Sequence, residues 1–219
     1  MMPGVSDRAQ PKSSVRSRTR DAILAAAASV LARDRTATLP AIAEAAGVGR
    51  TTLHRYFADR ETLITAAVQD SIRVISQSIA DAGLDRGSPL DAMRRAVAAM
   101  VAVGDRLMFV FGDPRLLEGF AAPDKPVPPS DPVIELIRRG QAEGVFDPEV
   151  SPAWIQHVLW VLVYRGCEDA DSGELPRHGI TATVIRTLEN GIHVRQERAR
   201  PRLSRGRGGS PGSRRGPRT

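Results

Sequence analysis

Between Gly49 and Asp59 stand six residues equipped to read the edge of a base pair: Arg50, Thr51, Thr52, His54, Arg55 and Tyr56. Arg50 or Arg55 can donate two parallel hydrogen bonds to O6 and N7 of guanine. Threonine methyls suit the thymine C5 methyl, and the hydroxyls can bond base edges or phosphates. Such chemistry requires a short exposed helix held rigidly by its neighbours, and the flanking sequence encodes one. Thr38 is a good N-cap for a helix over 39–46, and Pro40 is tolerated because first-turn amides have no helical partner. Gly47 closes this helix, as glycine does where the backbone turns left-handed. Val48-Gly49 completes the turn, and the second short helix follows over 50–57. Ile42, Ala46, Val48, Leu53 and Phe57 can pin the two helices together. The spacing over Thr38–Phe57 is that of a helix-turn-helix, whose second helix lies in the major groove with its N-terminal end nearest the bases.

The elements that must position this hairpin are also helical. Before it, a helix is expected over 17–33, with Ile23, Ala26, Ala27, Val30 and Leu31 on one apolar stripe. After it, Asp59 caps a helix starting near Arg60, with Glu61 against the positive end of its dipole, and the helix continues to about Ala82. Further helices are expected over 89–103, 132–143, 152–168 and 178–195. The stretch 107–120 is apolar but interrupted by Gly112, Pro114 and Gly119, and 121–132 reads as a proline-rich loop. No alternating strand pattern and no internal repeat stands out. The predicted fold class is all-α: an N-terminal three-helix DNA-binding domain followed by a larger helical ligand-binding and dimerisation domain. The expected division is a disordered basic arm over 1–16, the helix-turn-helix domain over 17–66, the larger domain over 67–196, and a disordered arginine-rich tail over 197–219.

Composition narrows the function classes. Hydrophobic residues make up 42% of the 219-residue chain, enough for a packed core. The longest apolar run, 22–32, is too short for a bilayer, which needs about 20 residues. The one cysteine, Cys167, excludes an internal disulfide and suits a reducing compartment, so a cytoplasmic protein is expected, with no membrane partner. The net charge of +6 is unevenly spread: both ends are arginine-rich and the body between them is acidic. Two basic arms suggest a polyanionic partner, nucleic acid first. For the C-terminal arm, with its Gly/Ser/Pro/Arg repeats, a plainly solvated tail is an equal alternative. The helix-turn-helix itself is nearly neutral, so Arg16, Arg18 and Arg20 are expected to help by contacting phosphates or an adjacent minor groove.

The stretch from Thr38 to Val68, "TLPAIAEAAGVGRTTLHRYFADRETLITAAV", resembles the DNA-binding domain of the TetR family of bacterial repressors. With the preceding helix the resemblance covers about 17–68. It implies phosphate contacts from Thr38, from the aromatic position at His54 and from the basic residue opening the next helix, Arg60. Three positions depart from the family pattern. Gly49 stands where Ser or Thr often caps the recognition helix, His54 replaces the common Tyr, and Arg60 the common Lys. The resemblance also implies a homodimer on near-palindromic double-stranded DNA, and an unknown small-molecule effector that releases it.

The second domain offers candidates for both roles. Ile155, Val158, Leu159, Leu162 and Val163 form a wide apolar arc, and Ile180, Val184, Leu188 and Ile192 a ladder at every fourth residue. The resemblance implies that these last two helices pair with their symmetry mates, and an intramolecular core is the alternative. Met93, Met100, Met108, Phe109, Phe111, Trp154 and Trp160 are candidates to line an adaptable apolar pocket, or else plain core. His157 and Tyr164 share a face and could give it polar contacts, or could bond neighbouring backbone.

Two rival readings compete. An enzyme would draw on Cys167, His157, His178 and His193 with Asp169 and Asp171. No nucleophile motif, P-loop or metal-ligand spacing supports it, so no catalytic residue, cofactor or metal is expected. Cys167 as a redox sensor is a further variant, though a lone buried thiol is usually inert. A protein binding nucleic acid non-specifically through its tails would bind random and operator DNA alike. Thr, His and Tyr on the recognition helix argue against it.

Overall fold

A computed structural model describes residues 10–118 and 131–192. The first nine residues, the Gly119–Phe120 break, the proline-rich loop up to residue 130, His193 and the arginine-rich tail lie outside them. Every regular element described is a helix: α1 (Gln10–Arg33), α2 (Leu39–Ala45), α3 (Arg50–Tyr56), α4 (Arg60–Asp81), α5 (Pro89–Ala102), α6 (Gly104–Phe111), α7 (Arg115–Glu118), α8 (Pro132–Ala142), α9 (Pro152–Asp171) and α10 (Ile180–Ile192). A 3-10 turn at Arg177–Gly179 precedes α10. Among the described residues no helix is long and apolar enough to cross a membrane.

Local chemistry starts and stops these helices as the sequence indicates. Asp59 caps α4, its carboxylate accepting from the Thr62 amide at 2.7 Å, and that hydrogen bond holds the carboxyl below its ordinary pKa. Ser88, Asp131 and Ser151 cap α5, α8 and α9 in the same way, each followed by a proline in the first turn. Helix α1 begins at Gln10, seven residues before the expected start. The last part of the expected disordered arm, 10–16, is therefore helical here.

The side chains close into two apolar cores. In the first, Ile23, Leu24, Ala27, Ala28 and Leu31 of α1 meet Ile42, Leu53, Phe57, Leu63 and Ala67, and Phe109 and Val110 of α6 complete it. The buried arc of α1 thus includes Leu24 and Ala28, while Ala26 and Val30 stay partly exposed. The reason is that α1 is packed on by α2, α4 and α6 together, which centres burial between two adjacent rows. The second core gathers Ile75 and Ile79 of α4, Met93, Val97 and Met100 of α5, Leu107 of α6, Leu136 and Ile137 of α8, and the inner faces of α9 and α10.

Two elements belong to both cores. Helix α4 gives Leu63, Ala67 and Val68 to the first and Ile75 and Ile79 to the second, while α6 gives Phe109 and Val110 to one and Leu107 and Met108 to the other. The first core accordingly runs past residue 66, where a domain boundary was expected. The expected dimer residues are also reassigned. Ile155, Leu159, Val163, Ile180, Val184, Leu188 and Ile192 are buried within this one chain, and Val158 and Leu162 pack against the same core. With α5 and α8 present to cover them, these ladders are satisfied internally.

Candidate nucleic-acid interface and ligand groove

The helix-turn-helix forms where expected. The Thr38 hydroxyl accepts from the Ala41 amide at 3.5 Å, a long contact that leaves its proton free to donate. Helix α2 ends at a backbone turn with Gly47 at φ +65°, where an L side chain would be strained. The amides of Gly47 and Val48 close it on the carbonyls of Glu44 and Ala43, each at 3.0 Å. Leu53 and Phe57 are buried and fix α3 against the core.

That anchoring turns Arg50, Thr51, His54 and Arg55 to solvent, while Thr52 and Tyr56 are half-buried. The Arg55 guanidinium lies 5.7 Å from the Tyr56 ring centroid, and Arg20 of α1 stands 5.7 Å from the Phe57 ring centroid. Gly49, the N-cap of α3, offers no side-chain hydrogen bond. Arg60 departs from its expected role. Its guanidinium turns inward and donates to the carbonyls of Ala37 and, at 2.6 Å, Arg35. Both carbonyls lie in the connection between α1 and α2, which Arg60 thereby ties to α4.

The expected pocket residues separate. Met93 and Met100 are fully buried in the second core and Phe109 in the first, so none of them lines an open site. Met108 faces a cavity of about 320 Å³ between α5, α6, α9 and α1, beside Cys167. Trp154 stands on the outer face of α9, 63% exposed. The remaining four, Phe111, His157, Trp160 and Tyr164, do come together. They line a groove of about 490 Å³ between α6 and α9 with Leu107, Val161, Arg165 and Glu168. The Phe111 and Trp160 rings lie 5.5 Å apart at 43°, and Phe111 remains 46% exposed. Leu107, Val161, Arg165 and Glu168 were missed, although the spacing 157, 161, 164, 168 places Val161 and Glu168 on one helical face with His157 and Tyr164. The groove can take a flat apolar molecule against its rings, with a carboxylate and a guanidinium at its edge.

Burial, and then the negative charge of Asp105, push the Cys167 thiol up to about 11, which leaves little thiolate at neutral pH. Among the described residues no group of three His, Cys, Asp or Glu is placed to hold a metal ion.

A capped two-helix hairpin presenting a short polar helix, set on a larger helical body, defines a DNA-binding regulator as the class of protein. Similarity to known proteins specifies it further. Residues 23–67 match the family of bacterial regulatory proteins of the tetR type. The HTH-type transcriptional repressor LfrR of Mycolicibacterium smegmatis is 36% identical over 188 residues, covering 83% of this chain and 94% of its own length. The HTH-type transcriptional regulator NfxB of Pseudomonas aeruginosa is 30% identical over 151 residues, covering 68% of this chain and 80% of its own. The crystal structure of LfrR superposes with a TM-score of 0.64 at 34% identity, over 83% of this chain and 99% of that one. Its complex with proflavine gives 0.62 at 34% identity, over 82% and 99%. The chain belongs to the TetR family and is a sequence-specific DNA-binding transcriptional regulator.

Proposed function

We propose that the chain is a cytoplasmic homodimeric repressor that binds a near-palindromic operator and is released by a small, flat, largely apolar ligand in the α6–α9 groove. The observation that carries this reading is the double role of α6. Phe109 and Val110 are built into the DNA-binding core, and Leu107 and Phe111 line the groove. A molecule entering the groove therefore presses on an element that the recognition unit is packed against. Proflavine, present in the LfrR complex, has the matching chemistry: its fused rings suit Phe111 and Trp160, and its positive charge suits Glu168.

On the DNA side, Arg50, Thr51, His54 and Arg55 face the bases or adjacent backbone, with Thr52 and Tyr56 at the edge of that surface. Thr38 and His54 donate to phosphates. Arg16 and Arg20, both exposed and one turn apart on α1, add charge beside a nearly neutral hairpin. The second copy docks on the outer face of α9, where Trp154, outside the groove, is 63% exposed and offers a large apolar ring for a symmetric partner to cover.

The test is a selection from a random duplex library with the purified full chain, followed by proflavine titration of the recovered DNA complex. The expected result is a motif with two-fold symmetry, bound by a dimer and released by proflavine. No enriched motif would favour charge-driven, non-specific binding. A motif whose complex ignores proflavine would keep the DNA reading and remove the groove from it.

A further inference from the structure

At the C-terminal end of α1, Arg33 uses its whole guanidinium to join three helices. Its Nε lies 2.7 Å from a carboxylate oxygen of Asp171 of α9. Its Nη2 donates to Asp105 of α6 and to Asp171, each at 3.0 Å. Its Nη1 donates to the Ser29 carbonyl at 2.8 Å and to the Ser29 hydroxyl at 2.5 Å. The Ser29 hydroxyl in turn donates to the second Asp105 oxygen at 2.7 Å, and Arg177 reaches Asp171 from beyond α9 at 2.5 Å. The helices so joined to α1 are the two that face each other across the groove. Asp105 lies two residues before the groove residue Leu107, and Asp171 one turn after the groove residue Glu168.

We propose that Arg33 is a positioning residue for regulation: by bridging Asp105 and Asp171 it senses the separation of α6 and α9 and passes it to the DNA-binding helices. This rests on the reading of the groove as the effector site. A flat molecule wedged between the two helices moves the carboxylates relative to each other, and the cavity of about 320 Å³ lined by Asp105, Cys167 and Asp171 gives them room. The planar fork of an arginine can hold two carboxylates at once, which the single ammonium of a lysine cannot do in the same geometry.

The next link is on the same stretch of chain. Arg35 donates to the Met108 carbonyl of α6 at 3.4 Å and lies 3.8 Å from Asp113, so α6 is held at both ends by residues 33–35. Arg60 binds the carbonyls of Arg35 and Ala37, immediately before Thr38, the cap of the helix-turn-helix. The rival account is that these are ordinary surface ion pairs. Arg33 and Asp105 are more than a third exposed, and such pairs contribute little to stability. Asp171 is less exposed, at 17%, but asparagine keeps its shape and can still accept from Arg33, so variants at both positions fold and coupling can be measured apart from stability.

The experiment uses the full chain, a duplex recovered by selection, and proflavine. Proflavine affinity is measured without DNA, and DNA affinity with and without saturating proflavine. The ratio of the two DNA affinities, corrected for the proflavine that the duplex itself binds, is the coupling factor. In Asp171→Asn and in Arg33→Lys, proflavine affinity and melting temperature stay near wild type while the coupling factor falls at least tenfold. Asp171→Glu restores part of it, and Arg138→Lys, in a remote surface pair, leaves it unchanged. Without any ligand, Asp171→Asn also speeds hydrogen exchange of the Asp34 and Ala37 amides, which bond the carbonyls of Val30 and Asp34. An unchanged coupling factor, or a fall that merely tracks lost proflavine affinity, overturns the proposal. If wild type ignores proflavine, the groove reading fails, and unchanged hydrogen exchange then overturns the bridge as well.

Discussion

The recognition unit and the groove between α6 and α9 are built to opposite specifications. Around α3 each turn is closed by a specific contact: a threonine cap, a left-handed glycine, buried Leu53 and Phe57, an arginine drawn inward onto two carbonyls. Little apolar surface is left over. Around the groove, Phe111, Val161 and Trp160 keep part of their apolar surface in water, at roughly 25 cal/mol per Å² relative to burial. A surface that reads DNA needs side chains held in fixed register, whereas a surface that accepts a ligand must leave apolar area uncovered until the ligand arrives. Helices α4 and α6 join the two regimes, because each contributes side chains to both cores.

The largest expected effect comes from cutting an equivalent ring in each region. Phe57 is fully enclosed, so Phe57→Ala removes its contacts and leaves a cavity, at a cost of about 4 kcal/mol. Thermal unfolding should shift strongly downward and specific DNA binding should be lost. Trp160 is half-buried at the rim of the groove, so Trp160→Ala should cost less than about 1.5 kcal/mol of stability while weakening proflavine about tenfold by calorimetry. Similar stability losses in the two variants would erase the contrast between a closed core and an open groove.

The next effect lies at the seam. Asp70 of α4 is only 7% exposed and pairs with Arg106 of α6 at 2.6 Å and with Arg73 at 2.7 Å. Burial alone would push its carboxyl up, but the hydrogen bonds and charges of the two arginines outweigh that and hold it below its ordinary value. A depressed folded pKa contributes stability that is present above the unfolded value, near 3.9, and lost as pH falls through the folded one. Asp70→Asn should cost about 2 kcal/mol at pH 7, less than a fully buried pair because Arg106 keeps some access to water. Urea titrations should show the gap to wild type closing below about pH 4. A gap independent of pH would mean that the pair holds α4 to α6 by shape and not by charge.

The same contrast governs what the sequence made legible. The helix-turn-helix was readable because its signals are local: cap, glycine, turn and apolar anchors fall within twenty residues and each acts on its neighbours. The groove was readable only in part, because helical spacing tells which residues share a face but not which neighbour that face meets. Phe109 and Phe111 are two apart and therefore point to opposite sides of α6, one into the DNA-binding core and the other into the groove. Nothing in their types distinguishes them. The ladders of α9 and α10 carry the pattern of an interface but are satisfied by α5 and α8. Arg60 looked free for phosphate because the carbonyls that capture it lie 23 and 25 residues earlier in the chain.

The smallest effect tests how completely the recognition unit is fixed. Two glycines flank its turn for different reasons. Gly47 has φ +65°, so a side chain there is strained whatever the space around it. Gly49, the N-cap of α3, has φ −70° and ψ 150°, extended geometry that serine adopts freely, and a Cβ added there meets nothing within 4 Å. A serine hydroxyl at 49 would accept from the amide of Thr51 or Thr52, a hydrogen bond that glycine cannot make, and should gain a few tenths of a kcal/mol. For a chain of this size that corresponds to a rise of about 1 °C in melting temperature. Gly47→Ser should instead cost about 1 kcal/mol. Opposite signs at two positions separated only by Val48 would locate the strain in the backbone of the turn. A loss of stability in Gly49→Ser would show that the start of α3 is not the open cap its dihedral angles describe, and that even the rigid half of the molecule keeps some freedom where it approaches DNA.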